Sequence, residues 1–356
     1  MLKRFSNSDP RHEVIVRPDG LALRVSEEQT ILEAAFDQDV SFPHGCKIGQ
    51  CGLCKSRLIE GEVLHRDHER SALTDAEKSE GLILPCMATP TRDLSLAPLH
   101  ADRLRPKHPV RTLDAQVTAL SDLTHDIKLL RLGLEDATLQ FLPGQYVQLT
   151  LQDGTTRDYS LANMPGTSEP EFHIRRVPGG DFSETVHQTL AIGDKLRLKG
   201  PFGSAHLRTE RTGPIIAIAG GSGLAPVKSI VDSALNLGMK QPIHVYFGGR
   251  ETRDLYLLDH FRNLQRRHAN LTFTPVLSGE LQEASCRTGL VTDAVKQDFS
   301  DLAGWTAYAA GPPAMIEAAF SELTGANLAR EHIYADIFFT PETETIVKSQ
   351  QVTRCR

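Results

Sequence analysis

Apolar and polar positions alternate in short runs through the first quarter of the chain. Residues 12–18 (HEVIVRP) and 21–25 (LALRV) alternate around Asp19-Gly20, which predicts a β-hairpin. Residues 30–38 (TILEAAFDQ) predict a short helix capped between Ser26 and Thr30, and residues 55–60 a further strand ending at Gly61. Two strands, a helix and more strands in so short a stretch predict a compact α+β module. Residues 98–112 hold three prolines and a run of cationic side chains with no apolar period, and read as a linker. Residues 113–200 carry LDAQVTAL, DIKLLRLGL, QYVQLTL, EFHIRRV and DKLRLKG, separated by turns at Pro143-Gly144, Asp153-Gly154 and Gly179-Gly180. Only 182–191 looks helical there, so a small antiparallel barrel is expected. After residue 213 the period changes. The apolar runs PIIAIAG, IHVYFGG, LTFTPVL and TAYAAG alternate with helical stretches at 225–237, 255–268, 289–299 and 313–324, the signature of a doubly wound parallel sheet. The tail, 341–356, has no apolar period and is expected to fray.

Composition narrows the function classes. At 356 residues the chain has room for two or three domains. A net charge of −6 gives no general attraction to nucleic acid or membrane, and the basic cluster Arg262, Arg266 and Arg267 reads as a solvated helix face. No run of about 18 apolar residues occurs, and MLKRFSNSDPRHE lacks the apolar core of a secretory signal. Six cysteines are too few for a disulfide scaffold in a chain of this length, so a reducing cytoplasm is expected. Cys286 and Cys355 stand alone; the other four do not.

Those four, Cys46, Cys51, Cys54 and Cys86, have the spacing C-x4-C-x2-C-x31-C. Four thiolates are what a 2Fe–2S centre requires, and this is the plant-type spacing. The first three lie in HGCKIGQCGLC, where Gly45, Gly49 and Gly52 let the backbone curl and its N–H groups approach sulfur. Cys86, in LILPC, is expected to close the site from a separate strand. Structural zinc is the competing reading, but zinc sites pair two C-x2-C knuckles and the second half here supplies one cysteine. His44 beside the loop could tune the potential or contact a partner; an exposed loop histidine is the simpler expectation.

A second constellation follows a predicted strand: RDYSLAN, Arg157 to Asn163, then IRRVPGGDFS, Ile174 to Ser183. A pyrophosphate needs cationic and N–H donors, and a helix start at Ser183 after Gly179-Gly180 would supply the latter. Arg157 or Arg175 can supply fixed positive charge. Tyr159 can lie flat on an isoalloxazine ring, and Ser160 can place a hydroxyl near flavin N5. Each piece alone is an ordinary core or turn feature; the ordered set, followed by GPFG at 200–203, is specific.

A third lies where the strand PIIAIAG enters GGSGLAP, Gly220 to Pro226. A glycine-rich strand-to-helix turn brings backbone close to a pyrophosphate, although Pro226 departs from the full dinucleotide fingerprint and a tight structural turn is a rival. In GGRETRDLY, Arg250 or Arg253 could meet a 2′-phosphate, and Glu251 or Asp254 a ribose diol, so the residues leave the donor open.

Together these motifs resemble a plant-type ferredoxin domain of β-grasp fold joined to a ferredoxin–NADP reductase superfamily module, over about residues 12–340. The order is that of the single-chain reductase components of bacterial ring-hydroxylating dioxygenase systems. The resemblance implies a ferredoxin domain (1–97), a linker (98–109), an FAD-binding β-barrel (110–206), a doubly wound nucleotide domain (207–340) and a tail (341–356). In the superfamily the residues matching Arg157, Tyr159 and Ser160 hold the flavin, with Ile174 and Arg175 on the next strand, and Gly180 to Ser183 hold the pyrophosphate. Gly221, Ser222 and Gly223 match its nucleotide turn. Gly311 and Pro312 match its late Gly-Pro-Pro segment near the nicotinamide, where Ala310 replaces a common cysteine. Phe338 in DIFF matches the aromatic residue stacked by the flavin, with Phe339 next and a plain core role for both as the alternative. The resemblance leans to NADH, passing electrons through FAD and the cluster to a Rieske-type ferredoxin or terminal oxygenase for aromatic compounds, from a monomer. Two rivals share the architecture: a reductase for a deoxysugar-biosynthesis dehydrase, and a redox-sensing regulator that has lost turnover.

Overall fold

The computed structural model describes residues 11–355 except 39, 41, 46, 71, 100–106, 136–137, 280–285 and 340–351, with backbone alone for 352–355. Two compact units result: Met1–Pro106 with Pro341–Arg356, and Lys107–Thr340.

In the first unit the expected hairpin is β1 (Arg11–Val16) with β2 (Leu21–Ser26), pairing Val14 with Leu23 so that both face the core. Helix α1 (Ile31–Asp37) starts at Thr30, whose Oγ1 accepts the Glu33 N–H at 3.2 Å while the Glu33 carboxylate accepts the Thr30 N–H at 2.8 Å. This reciprocal cap contributes about 1 kcal/mol and sets the helix start. Then come β3 (Ser56–Glu60), β4 (Val63–Arg66), the one-turn helix α2 (Asp75–Ser79), β5 (Leu82–Ile83), β6 (Ala88–Pro90) and β7 (Leu94–Pro98). The main sheet has the order β2-β1-β7-β3-β5, with β1 and β7 parallel. Helix α2 has no buried residue, which is why no apolar period announced it.

The second unit begins with β8 (Arg111–Asp122), β9 (Ile127–Leu134), β10 (Tyr146–Thr150), β11 (Thr156–Ser160), β12 (Glu171–Arg175), α3 (Asp181–Gln188) and β13 (Lys195–Phe202). The order β11-β10-β13-β8-β9-β12 is antiparallel throughout and nearly closes into a barrel around Leu130, Leu132, Val147, Leu149 and Phe172. Phe182 and Val186 of α3 join that core.

There follow β14 (Ile215–Gly220), α4 (Leu224–Asn236), β15 (Ile243–Gly249), α5 (Leu258–Arg267), β16 (Leu271–Leu277), β17 (Arg287–Thr288), α6 (Val291–Asp298), β18 (Thr306–Gly311), α7 (Pro313–Gly325) and β19 (Ile333–Ile337). All strands are parallel in the order β17-β16-β15-β14-β18-β19. Every residue of β14 and β18 is buried, as the unbroken apolar runs demand of strands covered on both faces. The chain runs outward from β14 in one direction and resumes at β18 on its other side, so the carboxyl ends of these strands form the switch point where such sheets bind ligands. Helix α5 starts three residues later than the pattern suggests, because a 3-10 turn at Thr252–Asp254 and a left-handed Leu257 (φ 56°) precede it.

Within the tail expected to be frayed or loosely packed, Val352–Cys355 instead form β20, which pairs antiparallel with β4, Thr353 opposite His65; residues 341–351 lie outside the described residues. β4 pairs on its other side with β6, so without β20 it would be an unpaired edge, and backbone hydrogen bonding needs no apolar period. No helix among the described residues is long and apolar enough to cross a membrane.

Candidate functional site

Cys51 and Cys54 lie in the loop between α1 and β3, and both are buried. Cys86, also buried, sits in the turn between β5 and β6, not in a strand as expected; Pro85 stops β5 before the cysteine. The Cys54 and Cys86 sulfurs stand 3.2 Å apart although 32 residues separate them, and the described cysteines form no disulfide. The Leu53 N–H donates to Cys51 Sγ at 3.5 Å, and Ser56 Oγ donates to the Cys54 carbonyl at 3.0 Å. The loop turns through left-handed backbone at Gly49 (φ 72°) and Gly52 (φ 73°), the conformation their lack of a Cβ permits. Cys46 lies outside the described residues. No three His, Cys, Asp or Glu side chains among the described residues form a metal-holding group by themselves; what fits a cluster is the close Cys54–Cys86 sulfur pair and the N–H donated to Cys51 Sγ. His44 is buried, correcting the exposed-loop expectation. Its Nδ1 lies 2.7 Å from the Phe42 carbonyl, its ring meets Phe36 edge-on at 4.7 Å, and burial pushes it down to about 3.

At the barrel, β11 presents a half-buried Tyr159, its ring 5.0 Å from that of Phe182, and burial pushes its phenol up, keeping it neutral. Ser160 is buried and its Oγ donates to Asp336 Oδ2 at 2.8 Å, joining the end of β11 to the end of β19 across 176 residues. Arg157 is exposed and donates to its neighbour's carbonyl, Thr156 O, at 2.8 Å. On β12, Ile174 is buried. Arg175 donates to Asp126 at 2.8 Å, and its guanidinium lies against Gly221, where an added Cβ would stand 3.1 Å from it. The Ser183 hydroxyl accepts the Val177 N–H at 3.0 Å and lies 3.1 Å from the Gly180 carbonyl. It therefore braces the turn before α3, and the donors that turn offers an anion are the backbone N–H groups of the first helical turn.

Gly221–Gly223 form one 3-10 turn between β14 and α4. A Cβ on Gly223 would lie 2.0 Å from the Ala310 carbonyl oxygen, so only glycine lets this turn pack against β18. Pro226 departs from the fingerprint without cost: it is the third residue of α4, where no intrahelical N–H is required. Pro312 caps α7, and the Phe338 N–H donates to Gly311 O at 3.0 Å, bringing the last aromatic pair to the same strand ends. Phe338 and Phe339 are both half-buried, not core residues. Ser222 lies in the same turn, half-buried.

Three families match in succession: the 2Fe-2S iron–sulfur cluster binding domain over residues 14–91, the oxidoreductase FAD-binding domain over 114–207, and the oxidoreductase NAD-binding domain over 217–320. The ferredoxin–NAD(P)(+) reductase component of the naphthalene 1,2-dioxygenase system of Pseudomonas putida is 38% identical over 330 residues, covering 92% of this chain and 98% of that one. The reductase component of phenol 2-monooxygenase from Pseudomonas sp. (strain CF600) is 38% identical over 336 residues, covering 92% and 95%. Among solved structures, an Amycolatopsis cytochrome P450 reductase superposes with a TM-score of 0.73 at 35% identity, covering 92% of this chain and 98% of that one. The chain belongs to the reductase components of oxygenase systems. It is an oxidoreductase that takes FAD, NAD(H) and a 2Fe–2S cluster.

In this reductase, the sequence reading missed the side chains that join barrel to nucleotide sheet. Glu171 meets Arg131 at 2.9 Å, His173 at 3.5 Å and Lys228 at 3.7 Å. Burial alone would push its carboxyl up, but the hydrogen bonds and positive charge around it prevail and hold it at about 2. His173, fully buried, lies 2.9 Å from the Tyr256 hydroxyl, which in turn lies 3.4 Å from the Gly221 carbonyl. Lys228 and Ser229 of α4 donate to the carbonyls of Ala162 and Asn163, just after β11. Apart from Glu171 and His173, which are neighbours on β12, these partners lie 35 to 83 residues apart, so no local pattern could link them. Asp336 was within reach of the sequence, because an acid stands just before the aromatic pair in DIFF. Of the residues proposed to choose the donor, Asp254 Oδ2 accepts the N–H groups of Arg250 and Glu251, and Arg253 pairs with Glu251 at 2.8 Å.

Proposed function

We propose that this reductase takes electrons from NADH and passes them through FAD and the 2Fe–2S cluster to a ferredoxin or terminal oxygenase acting on aromatic compounds. When bound, NADH supplies a hydride, FAD converts that electron pair into single electrons, and the cluster delivers them one at a time. The chain's own work is to bind and align. Residues 110–206 would hold FAD, with Tyr159 against the ring system, Ile174 acting from within the barrel core to fix β12 and not by contact with the flavin, Arg157 and Arg175 supplying positive charge, and the Gly180–Ser183 turn supplying N–H donors to the pyrophosphate. Residues 207–340 would hold the nucleotide on the backbone of Gly221, Ser222 and Gly223, with Gly311 and Pro312 beside the nicotinamide and Phe338 covering the flavin. Residues 1–97 would hold the cluster on Cys46, Cys51, Cys54 and Cys86. The observation that carries this reading is the 2.8 Å bond from Ser160 to Asp336. It brings a hydroxyl of the barrel motif and a carboxylate of the nucleotide half to one place, beside the carboxyl end of β18 that borders the switch point where a hydride donor and acceptor must meet.

Two details favour NADH. Arg253 is drawn into an exposed ion pair with Glu251 at 2.8 Å, and Glu251, just beyond β15, is the residue type that can accept a ribose diol. The acceptor class rests on the relatives, which are reductase components of a naphthalene 1,2-dioxygenase system and of phenol 2-monooxygenase. We take the protein to be a cytoplasmic monomer. Anaerobic stopped-flow mixing with NADH and then NADPH tests the reading. Flavin bleaching followed by loss of cluster absorbance, faster with NADH, is expected. Failure of both nucleotides to reduce a flavin-loaded, cluster-loaded protein would overturn it in favour of a regulator with the same architecture.

A further inference from the structure

We propose that His65 is a positioning residue for the iron–sulfur centre, holding in place the turn that presents Cys86. The inference rests on the cluster assignment above. It begins from an anomaly in the strand pattern. β4 buries alternate positions, Val63 and His65, and the second is an imidazole only 1% exposed where an aliphatic residue would pack without polar demands. A buried imidazole needs partners for both nitrogens, and the partners here fix its tautomer. The Leu84 N–H points at Nε2 at 3.1 Å. An N–H can only donate, so Nε2 carries the lone pair and the proton sits on Nδ1, which donates to the Arg66 carbonyl at 2.9 Å.

Leu84 opens the turn that carries the cysteine. The Met87 N–H donates back to Leu84 O at 2.8 Å, which places Cys86 third in a four-residue turn. Two backbone bonds tie the same turn to its surroundings: Leu32 N–H to Pro85 O at 3.0 Å and Arg66 N–H to Met87 O at 2.9 Å. His65 adds a side-chain hold to these backbone ties. Leu84 is completely buried, so its N–H cannot turn to water if the imidazole is removed. The ring also reaches the other ligand segment. His68 packs edge-on against His65 at 4.6 Å, and an added Cβ on Gly49 would lie 2.7 Å from His68 Cβ and 2.8 Å from Met87 Cγ. One imidazole pair thus lies between the turn bearing Cys86 and the loop bearing Cys51 and Cys54. Since Cys54 and Cys86 stand 3.2 Å apart, a small displacement of the turn separates the sulfur pair.

The test uses the full-length protein, prepared anaerobically as wild type, His65→Leu and His65→Gln. Leucine fills the space without an acceptor; the glutamine carbonyl can reach the place of Nε2. An orphaned buried N–H is worth roughly tenfold to a hundredfold in an equilibrium. The His65→Leu cluster should therefore bleach at least tenfold faster with excess iron chelator, with altered electron paramagnetic resonance g-values in the reduced protein. His65→Gln should stay within about twofold of wild type in lifetime. NADH-dependent ferricyanide reduction, a readout of the flavin half, should be unchanged in both. A His65→Leu cluster with wild-type lifetime and spectrum overturns the inference, as does a glutamine variant that behaves like leucine. If His65→Leu does not fold, hydrogen exchange of the wild-type 82–88 peptide decides. Strong protection at the Leu84 amide supports the hold, and loop-like exchange overturns it. Wild-type protein that shows no 2Fe–2S signal when reconstituted sinks the cluster assignment itself, an outcome distinct from an indifferent His65→Leu variant.

Discussion

Replacing Ser160 with alanine removes one hydroxyl and, with it, the 2.8 Å bond to Asp336. The hydroxyl is buried but the Asp336 side chain is half-buried. A hydrogen bond to a charged group is worth about 1.5–3 kcal/mol, and partial access of water to the carboxylate places this one near the lower end. If the pair aligns donor and acceptor, that energy appears in the rate of hydride transfer, and about 1.4 kcal/mol is a factor of ten. Flavin bleaching at saturating NADH, followed anaerobically by stopped flow, should therefore slow about tenfold in Ser160→Ala. The NADH dissociation constant from the same traces should stay within about twofold, since the bond is not part of the nucleotide turn. Asp336→Ala should slow the same step, and the double variant should be no slower than the worse single variant, because both remove one interaction. A Ser160→Ala protein that retains FAD and reduces it at the wild-type rate would refute the reasoning. Strictly additive losses in the double variant would do so too.

Gly223→Ala would place a Cβ 2.0 Å from a backbone carbonyl oxygen that no rotamer change can move. It should destabilise the second unit by about 3 kcal/mol or more, read as a lower urea midpoint from the fluorescence of the single tryptophan, Trp305. An unchanged midpoint would contradict the packing of β14's turn on β18. Glu171 is held at about 2, below the 4.5 of a free glutamate. Its contribution is complete above about pH 4.5 and is lost as pH falls toward 2. The urea midpoint of the second unit should fall across that window in wild type and fall less steeply in Glu171→Gln; parallel curves would dismiss the network. Deleting residues 341–356 removes β20 and leaves β4 an unpaired edge. Concentration-dependent association by light scattering is expected, and a truncated protein that stays as monodisperse and as heat-stable as the full chain would show that the pairing contributes nothing.

The elements were legible where one local period ruled. The β1–β2 hairpin, the capped start of α1 at Thr30, and the alternation of buried strands with helices after residue 213 each follow from side chains within a few positions of one another. Misjudgements came where backbone or distant partners decide. Helix α2 buries nothing, β20 is held by backbone pairing, and the Cys86 segment is a turn because a proline precedes it.

The chemistry of the three sites was likewise local. Cysteine spacing, the RDYSLAN and GGSGLAP motifs and the late GPP turn each place several functional groups within one loop, so the order of cofactors could be read along the chain. The tertiary structure alone decided which residue faces which. It set Ser160 against Asp336, and His173 against Tyr256 and through it the glycine turn. It also set His65 against the backbone before Cys86 and closed Glu171 between Arg131 and Lys228. Those pairs lie 19 to 176 residues apart. Burial and pairing energies act through space between strands that the sheet order brings together, and a linear pattern records the strands but not their meeting points.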